Sequence, residues 1–247
     1  MMNRFLILWI SVLSLLVACN EEERIAPENN SPNVTINKIM PLGASRVEGA
    51  RPSFESYRYE LWKLLVDGGY TFDYIGTVGD ESSYPSYSNM NFDLDHEGRG
   101  GWTSGQILNG IEGWLTQAGT PDIVLFSSPG GNDGLTNSSY DQAVSNVNEI
   151  IDIIQTANPN VTIIIEQLAP ARSELMTGDL KTFFDSMSQD VITIAANQTT
   201  ETSKVVVVDM ATGFTDALLA DNVHYNEAGA RFIANRYYDV LKNRLQQ

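Results

Sequence analysis

Apolar positions along this chain fall into two alternating kinds of run. The short ones are continuous, as in Val124-Leu125-Phe126, Ile163-Ile164-Ile165 and Val205 to Val208. Strands apolar on both faces sit inside a sheet that is covered on both sides. Five such segments are predicted as strands, at 36–43, 71–79, 122–128, 161–168 and 204–210. The longer runs are amphipathic. In 55–69, Tyr59, Leu61, Trp62, Leu65 and Val66 recur at mixed three- and four-residue spacings, and Gly68-Gly69 gives the stop. Further helices are predicted near 104–117, at 139–157 with a stop near Asn158-Pro159, at 179–198 and at 226–245. Alternating strands and helices imply a five-stranded parallel sheet with right-handed crossovers, a three-layer α/β/α domain over 36–247. Ligands gather at the carboxyl ends of the strands in that architecture. Residues 80–100 form the longest irregular stretch, and neither an internal repeat nor a second domain is visible.

The first 35 residues break this pattern. Arg4 precedes an apolar run from Phe5 to Val17, followed by Ala18 and the single cysteine, Cys19. A basic start, a short apolar core and small residues describe a secretory signal over 1–18, too short for a comfortable membrane span. Leu16-Val17-Ala18-Cys19 resembles the lipobox of bacterial lipoproteins. That resemblance implies a lipid on Cys19 and an envelope location, with the membrane contacted through the lipid alone. Residues 19–35 are then a polar, acidic tether, whose start resembles the surface-export signals of some Bacteroidetes lipoproteins. With one cysteine, no disulfide forms within the chain. A formal net charge of −16 disfavours nucleic acid and anionic headgroups as partners.

Histidine occurs only at positions 96 and 224, so candidates for a general base near neutral pH are few. His224 follows Asp221 by three residues in DNVHYNEAG (221–229), a spacing that lets a carboxylate hold Nδ1–H and leave Nε2 as base. A capped helix start, with Asp221 or Asn222 as the cap, explains the same stretch. Asp209, ending the fifth strand, is the competing carboxylate. Ser45 lies on a glycine-assisted turn directly after the first strand, the place for an exposed nucleophile; a turn or N-cap serine fits there too. Two glycine-rich turns, EGRGGWTSGQI (97–107) and SSPGGNDG (127–134), offer amides and the Asn132 side chain as oxyanion donors, or simply make tight turns. The G-x-S-x-G elbow, phosphate-loop, dinucleotide and zincin patterns are absent, and no cofactor or metal is expected.

Taken in order, these blocks resemble the SGNH (GDSL-type) hydrolases, whose fold is flavodoxin-like. PLGASRVEG corresponds to the serine block, GGWTSGQ to the glycine block, GGND to the asparagine block and DNVHYNEAG to the D-x-x-H block. The resemblance implies Ser45 as nucleophile, Asp221 and His224 as its relay, and Ser45, Gly101 and Asn132 as oxyanion donors. It departs at Ala44, where the family usually has aspartate, which puts the stability or tuning of that loop in question. HEGRGGWTSGQI and IMPLGASRVEG look most like the carbohydrate esterases, the third family in particular, that remove acetyl groups from plant polysaccharides. The expected substrate is therefore a small or polysaccharide acetyl ester; His96 lines its cleft or is an exposed loop histidine, and of Tyr84, Tyr87, Phe92 and Trp102 some stack on sugar, Trp102 among them, and the others pack. A lipase-like acyl specificity, or a silent carbohydrate-binding scaffold favoured by Ala44, are the competing expectations.

Overall fold

The structure, a computed structural model, describes residues 36–80 and 82–246; the expected signal, Cys19 and the tether lie outside the described residues. The apolar run Lys38–Gly43 forms β1 at the middle of the sheet. Beside it, in parallel succession, lie β5 (Ile123–Phe126), β6 (Thr162–Gln167) and β7 (Lys204–Asp209).

On the other side of β1 the sheet departs from five simple strands. Segment 71–79 splits into β2 (Asp73–Tyr74) and β3 (Val78–Gly79). β2 runs parallel to the start of β1, pairing Asp73 with Lys38 and Tyr74 with Ile39. The end of β1 pairs instead with β4 (Asp95–Gly98), Leu42 with Glu97 and Gly43 with Gly98, also in parallel. Two short segments thus share one strand position. β3 adds an antiparallel edge to β4, so the sheet holds seven strands, ordered β3-β4-β1-β5-β6-β7 with β2 also against β1. β4 lies within the stretch expected to be irregular. Its sequence, DHEG, has no apolar residue to announce it, yet His96 and Glu97 are fully buried.

Both faces of the sheet are covered, which explains the uninterrupted apolar runs. Ile39, Leu125, Ile164 and Val208 pack on one face under α2 (Arg58–Asp67) and α7 (Glu227–Leu241). Met40, Leu42, Val124, Phe126, Ile163 and Ile165 pack on the other under α3 (Ser104–Ala118), α5 (Tyr140–Ala157) and α6 (Gly178–Gln198). Fully burying each such side chain contributes about 1.5–3 kcal/mol, so the sheet is the rigid part of the molecule. Two short helices, α1 (Ser45–Glu48) and α4 (Gly131–Leu135), follow the carboxyl ends of β1 and β5. They present the polar motifs at that rim.

Candidate active site

The turn carrying Ser45 is held by neighbours rather than by its own cap. Ala44 offers no side chain to α1, but its carbonyl accepts the amides of Val47 and Glu48, both at 3.0 Å. Ser56 Oγ and Arg58 Nε donate to the Val47 carbonyl at 2.6 and 2.7 Å, and Arg58 Nη2 donates to that of Glu48 at 3.0 Å. Arg58 is wholly buried and paired with Asp80 at 2.8 Å. Gly98 of β4 passes directly beneath. A Cβ there would lie 2.5 Å from the Glu48 nitrogen, so only glycine permits this approach. The loop stability that Ala44 puts in question is thus supplied by Ser56, Arg58 and Gly98.

Ser45 Oγ lies 2.9 Å from His224 Nε2, across 179 residues of sequence. His224 Nδ1 lies 2.7 Å from Asp221 Oδ2, while Asp221 Oδ1 accepts the amides of Val223 and His224 at 2.8 Å each. A carboxylate on Nδ1 fixes the proton there and leaves the Nε2 lone pair facing the serine. Burial pushes the Asp221 carboxyl up, but the two amides and the imidazole outweigh it and hold it below the usual carboxylate range. Arg172 steadies the loop by donating to the Asp221 carbonyl at 3.0 Å. Asp209 takes no part. It accepts the amides of Ala211 and Thr212 and faces Arg236 at 3.7 Å.

Asn132 and Gly101 follow β5 and β4 at the same end of the sheet as Ser45. Asn132 sits in α4, and its Nδ2 donates one hydrogen to the Trp102 carbonyl at 2.8 Å, leaving the second available. The turn carrying Gly101 is tied to the end of β1 by the Arg99 amide on the Gly43 carbonyl at 3.1 Å. Gly101 itself has φ +77°, a conformation that favours glycine. Among the described residues, the amides of Ser45 and Gly101 meet no acceptor. Buried Asp133 accepts both the amide and hydroxyl of Ser104 at 2.8 Å, locking α4 to the start of α3. A cleft of about 30 Å³ opens beside Ser45, walled by Ala44, Ser128, Asn132, Leu135, Phe184 and Val223.

His96 differs from its sequence-based role, and the aromatic residues are engaged in packing contacts. His96 does not line a cleft. It is fully buried, its Nδ1 accepts the Gly98 amide at 2.9 Å, and burial beside Arg58 and Arg99 pushes its pKa down to about 2. It is a neutral packing residue that supports the turn under α1. The Trp102 ring packs 5.6 Å from that of Trp114, with the Arg99 guanidinium over both, while its carbonyl orients Asn132. Phe92 is buried, and Tyr84 and Tyr87 pack against its neighbours Tyr59 and Trp62. Their faces are already occupied by Arg51 and Lys63, which argues against free sugar platforms. Among the described residues no group of three His, Cys, Asp or Glu gathers as a metal site.

Two contributors escaped the sequence reading. Phe54 stacks on the His224 ring, centroids 3.9 Å apart and planes within 14°. Ser128, at φ +48°, is pinned by its amide on Glu166 Oε2 at 2.7 Å. Glu166 is fully buried, which pushes its carboxyl up against the opposing pull of Tyr237, Ser128 and Arg46. Neither Phe54 nor Glu166 carries a local motif, since each acts on a loop distant in sequence.

The chain matches the model of the GDSL-like Lipase/Acylhydrolase family over residues 68–232, more than half its length. No curated protein matches the sequence. Among solved structures, the family 3 carbohydrate esterase of Clostridium thermocellum is 33% identical with a TM-score of 0.67, covering 85% of this chain and 99% of that one. A carbohydrate esterase family 3 protein from Talaromyces cellulolyticus is 27% identical with a TM-score of 0.73, covering 84% and 97%. An acetyl esterase mutant with an acetate ion is 28% identical with the same TM-score and coverage. The chain belongs to the GDSL-like lipase/acylhydrolase family, and it is a carboxylic ester hydrolase.

Proposed function

We propose that the protein removes short acyl groups, acetyl above all, from carbohydrate esters through a Ser45–His224–Asp221 acyl-enzyme mechanism. The observation that carries this reading is the unbroken chain from Asp221 Oδ2 through His224 to Ser45 Oγ, with steps of 2.7 and 2.9 Å. Ser45 Oγ attacks the ester carbonyl while His224 Nε2 takes its proton. The resulting oxyanion is met by the amides of Ser45 and Gly101 and the second Asn132 hydrogen. As the tetrahedral intermediate collapses, His224 returns the proton to the departing alcohol. Water then repeats the sequence on the acyl-serine and releases the acid.

The cleft beside Ser45 supports a short acyl group. Its wall is apolar at Leu135, Phe184 and Val223, a lining suited to the methyl of an acetyl group. The carbohydrate half of the proposal is supported by similarity to family 3 carbohydrate esterases. The test is acetate release from acetylated xylan and from p-nitrophenyl acetate, by wild type and by Ser45→Ala. The proposal expects release with wild type and loss with the variant. Equal rates would remove the catalytic assignment, and cleavage confined to longer acyl esters or lysophospholipid would remove the acetyl-sugar assignment.

A further inference from the structure

Loops from the ends of β1, β5 and β6 and the β7–α7 connection meet beside Ser45, and the Arg46 side chain, carried on the first, bonds to the other three. Arg46 follows Ser45 directly and is only 8% exposed. Its Nε donates to the Val223 carbonyl at 2.8 Å, one residue before His224. Its Nη1 donates to the Ala169 carbonyl at 2.7 Å and to Ser128 Oγ at 3.3 Å, and Nη2 donates to the Pro170 carbonyl at 3.0 Å. The guanidinium also lies 4.9 Å from the centre of the Tyr225 ring, one residue after His224. Every acceptor is neutral. The carboxylate it interacts with electrostatically is Glu166, which accepts from the Ser128 amide at 2.7 Å and lies 3.4 Å from Ser128 Oγ.

Burying a guanidinium without a carboxylate partner carries a desolvation cost that an apolar side chain of equal length would avoid. Space filling therefore does not explain a cation here. What arginine offers is a rigid planar fork of donors that reaches several acceptors in fixed directions. Val223 lies in the loop carrying the base, Ser128 in the loop leading to the asparagine donor and Ala169 and Pro170 in the loop after β6, while the fork is covalently next to the nucleophile.

We propose that Arg46 is a positioning residue that sets the placement of Ser45 relative to His224 and Asn132 by binding Val223, Ser128 and the 169–170 carbonyls at once. This rests on the esterase mechanism above. Arg46 does not touch the reacting atoms; it fixes the distance between those that do. A misplacement of about 1 Å in such a site lowers the rate about a hundredfold.

The test compares wild type, Arg46→Lys, Arg46→Met and Ser45→Ala, all in the full chain, by kcat and KM for p-nitrophenyl acetate and by thermal melting. Arg46→Met keeps the stem and loses both the fork and the charge, and the melting curves read the cost of leaving the Val223, Ala169 and Pro170 carbonyls and Glu166 without it. Arg46→Lys keeps the charge and loses the fork. The expected result is a fall in kcat of about a hundredfold in both Arg46 variants, with KM nearly unchanged and the folded fraction intact. A folded Arg46→Met with wild-type kcat, or full rescue by Arg46→Lys, overturns the positioning role. Loss that follows the unfolded fraction alone also overturns it. Were Ser45→Ala to keep full activity, the mechanism itself would fail, an outcome distinct from failure at Arg46 alone.

Discussion

Replacing Phe54 with leucine removes the ring stacked on His224, the imidazole that relays the proton in the proposed mechanism. The two rings lie 3.9 Å apart at 14°, so Phe54 covers a face of His224 while Asp221 and Ser45 bond the nitrogens at its edge. When His224 takes the serine proton it becomes a cation against the electron-rich face of Phe54. Such a contact contributes about 0.5–2 kcal/mol, depending on how far water is excluded. Phe54 is half-buried, so about 1 kcal/mol is appropriate, or a roughly fivefold fall in kcat. Because the cation exists only after proton transfer, the loss falls on kcat and leaves KM nearly unaltered. Steady-state kinetics on p-nitrophenyl acetate, with melting curves to verify folding, measure this directly. Phe54→Tyr keeps an aromatic face and is expected to retain near wild-type kcat. Equal kcat for the leucine and tyrosine variants would refute the reasoning, as would a loss expressed in KM alone.

Asn132→Ala removes one oxyanion donor, and kcat for p-nitrophenyl acetate is expected to fall by about 10²–10³ with the fold intact. Gly98→Ala places a methyl 2.5 Å from the Glu48 nitrogen, and both melting temperature and activity are expected to drop because α1 must shift. Asp93 is pushed up from 3.8 to about 7 by burial, against the amides of Tyr74 and Asp95 that pull it down. The folded state therefore holds this proton more tightly than the unfolded chain, and stability is full at low pH and declines as pH rises from 3.8 through about 7. Asp93→Asn cannot ionise, so its melting temperature relative to wild type is expected to rise across that window.

The layered fold was legible because apolar runs such as Ile163-Ile164-Ile165 report a strand covered on both faces. β4 was not legible. Its order comes from pairing with β1 and from buried polar contacts by His96 and Glu97, which leave no apolar signature. The split of 71–79 into β2 and β3 has the same origin, since β1 pairs with β2 at its start and with β4 at its end. The residues of the proposed mechanism, Ser45, Gly101, Asn132, Asp221 and His224, stand in short blocks with glycine turns and a D-x-x-H spacing, and the fold brings Asp221, His224 and Ser45 into hydrogen-bond contact. Arg46, Phe54 and Glu166 act across long separations on loops that only the fold juxtaposes, so their residue type alone carried no signal. His96 misled because a rare histidine beside a glycine turn resembles a substrate contact until its burial is seen.

The central claim is that Ser45 is a nucleophile activated by His224. Labelling with a fluorophosphonate, followed by peptide mass analysis, tests it most directly. The account predicts one adduct, on Ser45, with activity lost in proportion to labelling and with little labelling of His224→Ala. An adduct on another residue, or full activity in a protein fully labelled at Ser45, would contradict it.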